Sequence, residues 1–256
     1  MQSEGLAVRP LKTSVFKRNQ DLEEFVVSHL EKLFHEKQSL ERQILVITSK
    51  IISLAEGQIA SRSENTKEDL IRAEADLYLG EVGQACHLTI KHGLLILTSG
   101  IDLSNSENGD YILLPKDPFA SAQRLHSRLK KKFDLKEFGI LISDSRTLPL
   151  RVGVLGCGLS CFGFKPIQNL IGQPDIFGST LKMTQINLLD AIAGAAVMMM
   201  GEASEQTPLA LVSGAPVEFS DESPLRDLQI EMSEDLYYPM YRDLIIQNNF
   251  KKKEKK

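Results

Sequence analysis

No stretch of about 18 consecutive apolar residues occurs in this sequence, and the opening MQSEGLAVRPLKTS has no apolar segment between a basic start and a small-residue cleavage site. Membrane-spanning helices and an export signal are therefore not expected, and the protein is expected to remain in the cytoplasm. Cysteine is scarce: Cys86, Cys157 and Cys161 cannot all pair, and Cys157-x3-Cys161 has no second Cys/His pair to complete a structural zinc site. These three read as buried thiols. Positive charge is in deficit overall, with a formal net charge of −4. The five lysines and one glutamate of 251–256 carry +4, so the remainder carries −8. An acidic body argues against nucleic acid as the main partner, and the lysine-rich tail, 249–256, reads as disordered and solvated. No internal repeat or low-complexity linker divides the rest, and 1–248 reads as one unit.

What is present suits a sizeable core: 256 residues, 42% hydrophobic and 25% charged. Apolar positions recur at three and four residues from Asp21 to Lys37, the spacing of one helix face. Gln43 to Thr48 is short, β-branched and apolar on both parities, as in a strand buried on both faces. A helix is expected over Glu68 to Leu79, then strands over His87 to Lys91 and Gly93 to Thr98, with Gly93 between them. Asp102 opens a polar loop that runs through Asp110. Ser121 to Lys132 reads as a basic amphipathic helix with a solvated outer face, and Phe138 to Ile142 as a buried strand running into Ser143-Asp144-Ser145. The glycines of Arg151 to Phe164 are too irregular for a dinucleotide fingerprint and lack the Lys-Ser/Thr of a P-loop, so a strand with close backbone approaches is expected. Thr184 to Gly201 reads as a buried helix with Met198, Met199 and Met200 as core filler, Leu209 to Val212 as a strand, and the region from Ser220 as acidic and then helical through Asn248. Strands alternating with helices predict an α/β fold: mixed sheets with packed helices in a single, intimately joined unit.

Asp102, Asp144 and Glu202 each follow an apolar element directly, and Ser145 adds a hydroxyl. With only five histidines in the chain, such oxygen donors suit Mg²⁺ or Mn²⁺ better than zinc, although each acid taken alone also fits a turn former or helix cap. No Ser/His or Cys/His arrangement for nucleophilic catalysis is apparent, and His87 and His92 read as structural imidazoles.

Five ordered blocks go further. ITSKIISLAEG (Ile47 to Gly57), HGLLILTSGIDLSN (His92 to Asn105), ISDSRTLPLRVG (Ile142 to Gly153), IGQPDIFGSTLKMT (Ile171 to Thr184) and AVMMMGEASEQTPLALVSG (Ala196 to Gly214) resemble, in sequence order, the coenzyme F-420 gamma-glutamyl ligase family. SDSRTLPLR and MGEASEQTPLA resemble most the branch associated with folate metabolism. The resemblance implies a homodimer that binds GTP and two divalent cations and couples hydrolysis to amide formation between the amine of L-glutamate and a terminal carboxylate. By that likeness the metal ligands are Asp102, Asp144, Ser145 and Glu202. Ser49, Lys50, Asn105 and the loop Met200, Gly201, Glu202, Ala203, Ser204, Glu205, Gln206 and Thr207 surround the nucleotide, with Thr13 to Phe16 as a backbone contact. Arg146 and Arg151 are candidates for clamping a substrate carboxylate, since a guanidinium binds one bidentately.

Two departures bear on substrates. The family's lysine four residues beyond the Ser-Lys pair is Leu54 here, which leaves GTP and ATP both open. Arg146-Thr-Leu-Pro-Leu-Arg151 replaces the run Gly-Arg-Pro-Trp-Arg found in many coenzyme ligases, and this points to a folate-type acceptor, with the deazaflavin coenzyme as the alternative and a non-catalytic nucleotide-binding regulator as a further one.

Overall fold

Burial on both sides of Gln43–Thr48 sets the architecture, because alternate residues feed separate cores: Leu45 and Ile47 join one, Ile44 and Val46 the other. The computed structural model describes residues 5–35, 39–106, 108–222 and 228–245. In chain order its regular elements are β1 (Ala7–Leu11), α1 (Leu22–His35), β2 (Gln43–Thr48), α2 (Ser49–Ala55), β3 (Ile59–Ala60), α3 (Lys67–Glu74), β4 (Leu77–Glu81), β5 (His87–Lys91), β6 (Leu94–Leu97) and β7 (Tyr111–Ile112). There follow α4 (Pro118–Phe133), β8 (Phe138–Thr147), β9 (Val154–Phe164), β10 (Ile167–Asn169), β11 (Gln185–Asn187), α5 (Leu188–Met200), β12 (Leu209–Ser213) and β13 (Phe219–Ser220).

The main sheet has the order β1-β12-β2-β8-β9-β13, with β2 and β8 parallel and the other neighbours antiparallel. Helices α1 and α4 cover one face through Phe25, Leu30, Leu125 and Leu129, against Leu45, Ile140 and Leu211. Helix α5 covers the other through Leu189, Ile192 and Ala196, against Ile44, Leu141 and Ala210. Strand β9 runs under α5 with no room for side chains there: a Cβ on Gly156 would lie 2.6 Å from Val197 Cβ, and one on Gly158 2.3 Å from Leu189 Cγ. A smaller sheet, β4-β5-β6, and the pair β3-β7 carry the 102–110 loop, and β10-β11 form a separate hairpin.

Helix starts follow local chemistry. Asp117 accepts from Ala120 N at 2.9 Å ahead of Pro118 at the start of α4, and Asn187 accepts from Asp190 N at 3.0 Å at the start of α5.

The predicted mixed α/β character is what the structure shows, with departures in detail, among them the helix expected from Thr184, which begins at Leu188 after the strand Gln185–Asn187. The helix expected to reach Leu79 ends at Glu74, because Leu77 to Glu81 pair with β5 instead. Strand β8 continues through Asp144 to Thr147, so Asp144 lies within a ladder, opposite Cys157, rather than in a turn. Met198 and Met199 are exposed, and only Met200 of the three is core. Cys157 and Cys161 are buried as expected, whereas Cys86 is half-buried. The outer face of α4 is charged as predicted, with Arg128 and Lys132 near Glu23 and Glu31 of α1. Among the described residues no helix is long and apolar enough to cross a membrane. The predicted tail, 249–256, and the ends of two predicted helices, 36–37 and 246–248, lie outside the described residues.

Candidate active site

Strands β2 and β8 run parallel with Thr48 beside Ser143; there β2 passes into α2, while β8 goes on against β9, which leaves β8 beyond Ser143 without a β2 partner. In open α/β sheets this carboxyl-terminal edge is where ligands gather. A cavity of about 290 Å³ opens there, at the lower end of the roughly 300–1,000 Å³ usual for small-molecule sites. Its floor is Ser143, Asp144 and Ser145. One wall comes from α2, through Lys50, Ile51 and Leu54, with Asn105 beside it. The opposite wall is the loop after α5, from Met200 to Pro208, together with Thr13 to Phe16. Backbone bonds tie these walls to the sheet: Thr13 N donates to Gln206 O at 2.9 Å, and Thr48 N donates to Pro208 O at 3.0 Å.

The loop after α5 turns on Gly201, whose φ of +83° favours glycine and whose Cβ, were there one, would lie 2.4 Å from Glu205 Cδ. Glu205 folds back over it and accepts from Ala203 N at 2.8 Å. Asn105 Nδ2 donates to Ala203 O at 3.3 Å, which joins the 102–110 loop to the same wall.

The carboxylates fall into two groups. Ser145 donates to Glu202 at 2.5 Å across the cavity. Asp144 and Asp102 form the other group, close enough that the charge of Asp102 raises the proton affinity of Asp144. Burial acts first on Asp144, and its carboxyl is pushed up to about 7 even though the Ser145 backbone and the buried Ser49 hydroxyl bond to it. Asp102 goes the other way: burial pushes it up, but bonds from Lys50 and Ser104 outweigh this and hold it below the usual carboxylate range. Among the described residues no three His, Cys, Asp or Glu side chains gather as one ready-made metal cage. The donor set is nonetheless all oxygen, and Asp144 sits beside a second acid at a cost that a cation would relieve, which fits hard divalent ions held by two separate groups of donors.

The structure thus brings Lys50, Asn105, Asp144, Ser145 and Met200 to Thr207 to one cavity. Ser49 and Asp102 lie outside its lining; Ser49 acts through Asp144, and Asp102 is held by Lys50. Arg146 and Arg151 do not line it either. Arg146 donates to Asp190 on α5 at 3.2 Å, and Arg151 is exposed in the β8–β9 turn, with Nη1 on Leu150 O. His87 and His92 bond to Tyr78 and to Pro115 O, as structural imidazoles do. Ser104 and Asp190 escaped the sequence reading. The pattern Asp-x-Ser, whose serine N–H caps the aspartate at 2.8 Å, was a usable signal for Ser104. Asp190 had no local signal, since its partner Arg146 is 44 residues away.

A mixed sheet packed between helices, with an oxygen-rich cavity at the carboxyl-terminal edge of its parallel pair, places the chain among α/β proteins with a site of small-molecule size. Residues 10–214 match the model of the F420-0:Gamma-glutamyl ligase family, and the chain belongs to that family. It is 33% identical over 211 residues, 76% of this chain and 84% of the relative, to the coenzyme F420:L-glutamate ligase of Methanocaldococcus jannaschii. With the enzyme of that name from Methanothermobacter thermautotrophicus it shares 31% over 196 residues, 69% and 77% of the two chains. With that from Methanosarcina acetivorans it shares 27% over 271 aligned positions, 96% of each chain. These relatives overturn the folate-type acceptor expected from the Arg146 to Arg151 run. None of that run lines the cavity: Arg146 lies in β8 on Asp190, and the exposed turn follows with Leu150 and Arg151.

Proposed function

We propose that this chain is a gamma-glutamyl ligase that joins the amine of L-glutamate to the terminal carboxylate of an F420-type deazaflavin coenzyme, driven by a nucleoside triphosphate. The observation that carries this reading is the cavity itself, which gathers Lys50, Asn105, Asp144 and Ser145 with the Met200 to Thr207 loop and its Glu202; the names of the relatives supply the acceptor.

Lys50 and the loop amides hold the phosphates, a point charge and N–H donors being what phosphate oxygens require. The apolar side of the cavity, with Phe16, Leu54 and Val197, receives the less polar part of the ligand. An oxygen of the acceptor carboxylate attacks the γ-phosphorus, the bond to the leaving diphosphate breaks, and an acyl phosphate forms. The glutamate amine then attacks the acyl carbon, losing a proton as inorganic phosphate departs. The chain contributes positioning and electrostatics rather than a covalent nucleophile. Asp102, Asp144, Ser145 and Glu202 are the residues to hold Mg²⁺ or Mn²⁺, and such ions supply charge neutralisation at the transferring phosphoryl group.

We also infer a homodimer. Leu150 and Val152 in the β8–β9 turn and Ile176, Phe177 and Met183 in the 170–184 segment are large apolar side chains left exposed, more than a chain that works alone needs to show.

Incubation of the purified protein with F420-0, L-glutamate, Mn²⁺ or Mg²⁺ and either GTP or ATP tests the activity. A mass gain of one glutamyl residue on the coenzyme is expected, with tetrahydrofolate left unchanged. No gain with either nucleotide would overturn the reading.

A further inference from the structure

The ammonium of Lys50 is fully committed. Nζ lies 2.7 Å from Asp102 Oδ2, 2.9 Å from Ser104 Oγ and 3.1 Å from Ser104 O, which uses the three protons it has to give. Asp102 is engaged through both oxygens, Oδ1 accepting from Ser104 N at 2.8 Å and Oδ2 from Ser104 Oγ at 2.6 Å as well as from the lysine, so one acceptor direction, on Oδ1, is left. Lys50 lines the cavity, whereas Asp102, the partner it holds, does not.

We propose that Lys50 takes the place of a divalent cation on Asp102 in the nucleotide-free protein, so that the Lys50–Asp102 ion pair and cation loading exclude each other. The inference rests on the reading of Asp102 as a metal ligand given above. An ammonium and a divalent ion cannot share Oδ2, whose lone pairs serve Lys50 and Ser104 Oγ, and an ion on the direction left at Oδ1 would face the ammonium's positive charge across the same carboxylate. For Asp102 to turn to an ion in the cavity, Lys50 must let go. The released ammonium has an outlet, because it already lines the cavity in which the phosphates are placed. Nucleotide and cation then assist each other through one side chain: triphosphate draws Lys50 off Asp102, and this frees the carboxylate for the ion. Linkage makes the effect reciprocal.

Mn²⁺ affinity of the nucleotide-free full chain, measured by titration calorimetry or by the loss of the free-ion EPR signal, reads this directly and needs no turnover. Lys50→Met and the smaller perturbation Lys50→Gln are compared with wild type, with Lys50→Arg as the variant that restores the positive charge, and with Lys50→Met placed on an Asp102→Asn background. Circular dichroism verifies folding of each. Lys50→Met and Lys50→Gln are expected to bind Mn²⁺ alone roughly tenfold tighter than wild type, within the range of ordinary coupling between sites. Lys50→Arg should bind like wild type, and Lys50→Met should bring no gain when Asp102 is already Asn. Saturable Mn²⁺ binding that Lys50→Met and Lys50→Gln leave equal or weaker would overturn the exclusion while leaving the metal reading in place. Absence of saturable Mn²⁺ binding in every protein, with GTP as without, would overturn the metal reading and this inference with it.

Discussion

Ser145 and Glu202, 57 residues apart, meet at 2.5 Å where the end of β8 faces the loop after α5. The bond closes one side of the cavity and makes these two residues a unit. Glu202→Gln and Ser145→Ala should each lower kcat by about a hundredfold or more, as expected when a ligand or its orienting partner is removed from a site that works by charge placement. Because Glu202 is exposed, the melting temperature should hardly move. Steady-state kinetics and a thermal scan of each variant check this.

Activity should disappear with a chelator and return with Mg²⁺ or Mn²⁺, without any requirement for zinc. Dialysis against EDTA followed by metal add-back in the coenzyme assay is the measurement, and recovery with Zn²⁺ alone would move the metal away from these oxygens.

Asp144 gives the metal-free protein a pH signature. Its carboxyl is raised, chiefly by burial, from 3.8 to about 7. Below about pH 4 folded and unfolded chains are both protonated there; between about 4 and 7 the unfolded chain has lost the proton and the folded chain keeps it. Stability therefore falls as pH rises through that window, by at most about 4 kcal/mol. Asp144→Asn should remove this fall, so that in EDTA the variant is more stable than wild type at pH 8 and no more stable at pH 4. Urea melts at the two pH values decide it.

Gly156 and Gly158 have no space for a methyl group under α5. Gly156→Ala and Gly158→Ala should each destabilise by about 1–3 kcal/mol. Gly83→Ala, where a Cβ meets nothing within 4 Å, should stay within about 0.5 kcal/mol of wild type. Denaturant midpoints separate the two cases.

Leu54 lines the cavity and also packs against the core beneath α1. Leu54→Lys should shift the ratio of kcat/KM values toward GTP by roughly tenfold, about 1.4 kcal/mol. A destabilised variant with an unchanged nucleotide ratio would show that Leu54 serves the core alone.

Much of this was legible in the chain. Gln43 to Thr48 announced a doubly buried strand, because apolar residues on both parities have no other use in so short a run. The irregular glycines of 151–164 announced close backbone approaches, and these turn out to be the seats of Val197 and Leu189. The order of the five blocks announced the family. Which acids follow apolar elements was equally readable, since Asp102, Asp144 and Glu202 all lie near the cavity or behind its lysine.

What the sequence determined by itself was thus the alternation that builds the sheet and its helices, the glycines that let them approach, and the acids that come near the cavity. Tertiary structure alone decided the rest. A register shift between Ile142 and Ser143 carries Asp144 on inside the ladder, and pairing of distant parts of the chain sets Thr48 beside Ser143. Lys50 ends on Asp102 and Arg146 on Asp190, partners far away in the chain. The physical reason is the same in each case: backbone periodicity is written locally, but a charge takes its role from the partner that the folded chain brings within about 3 Å of it, and that partner is chosen by packing across the whole chain.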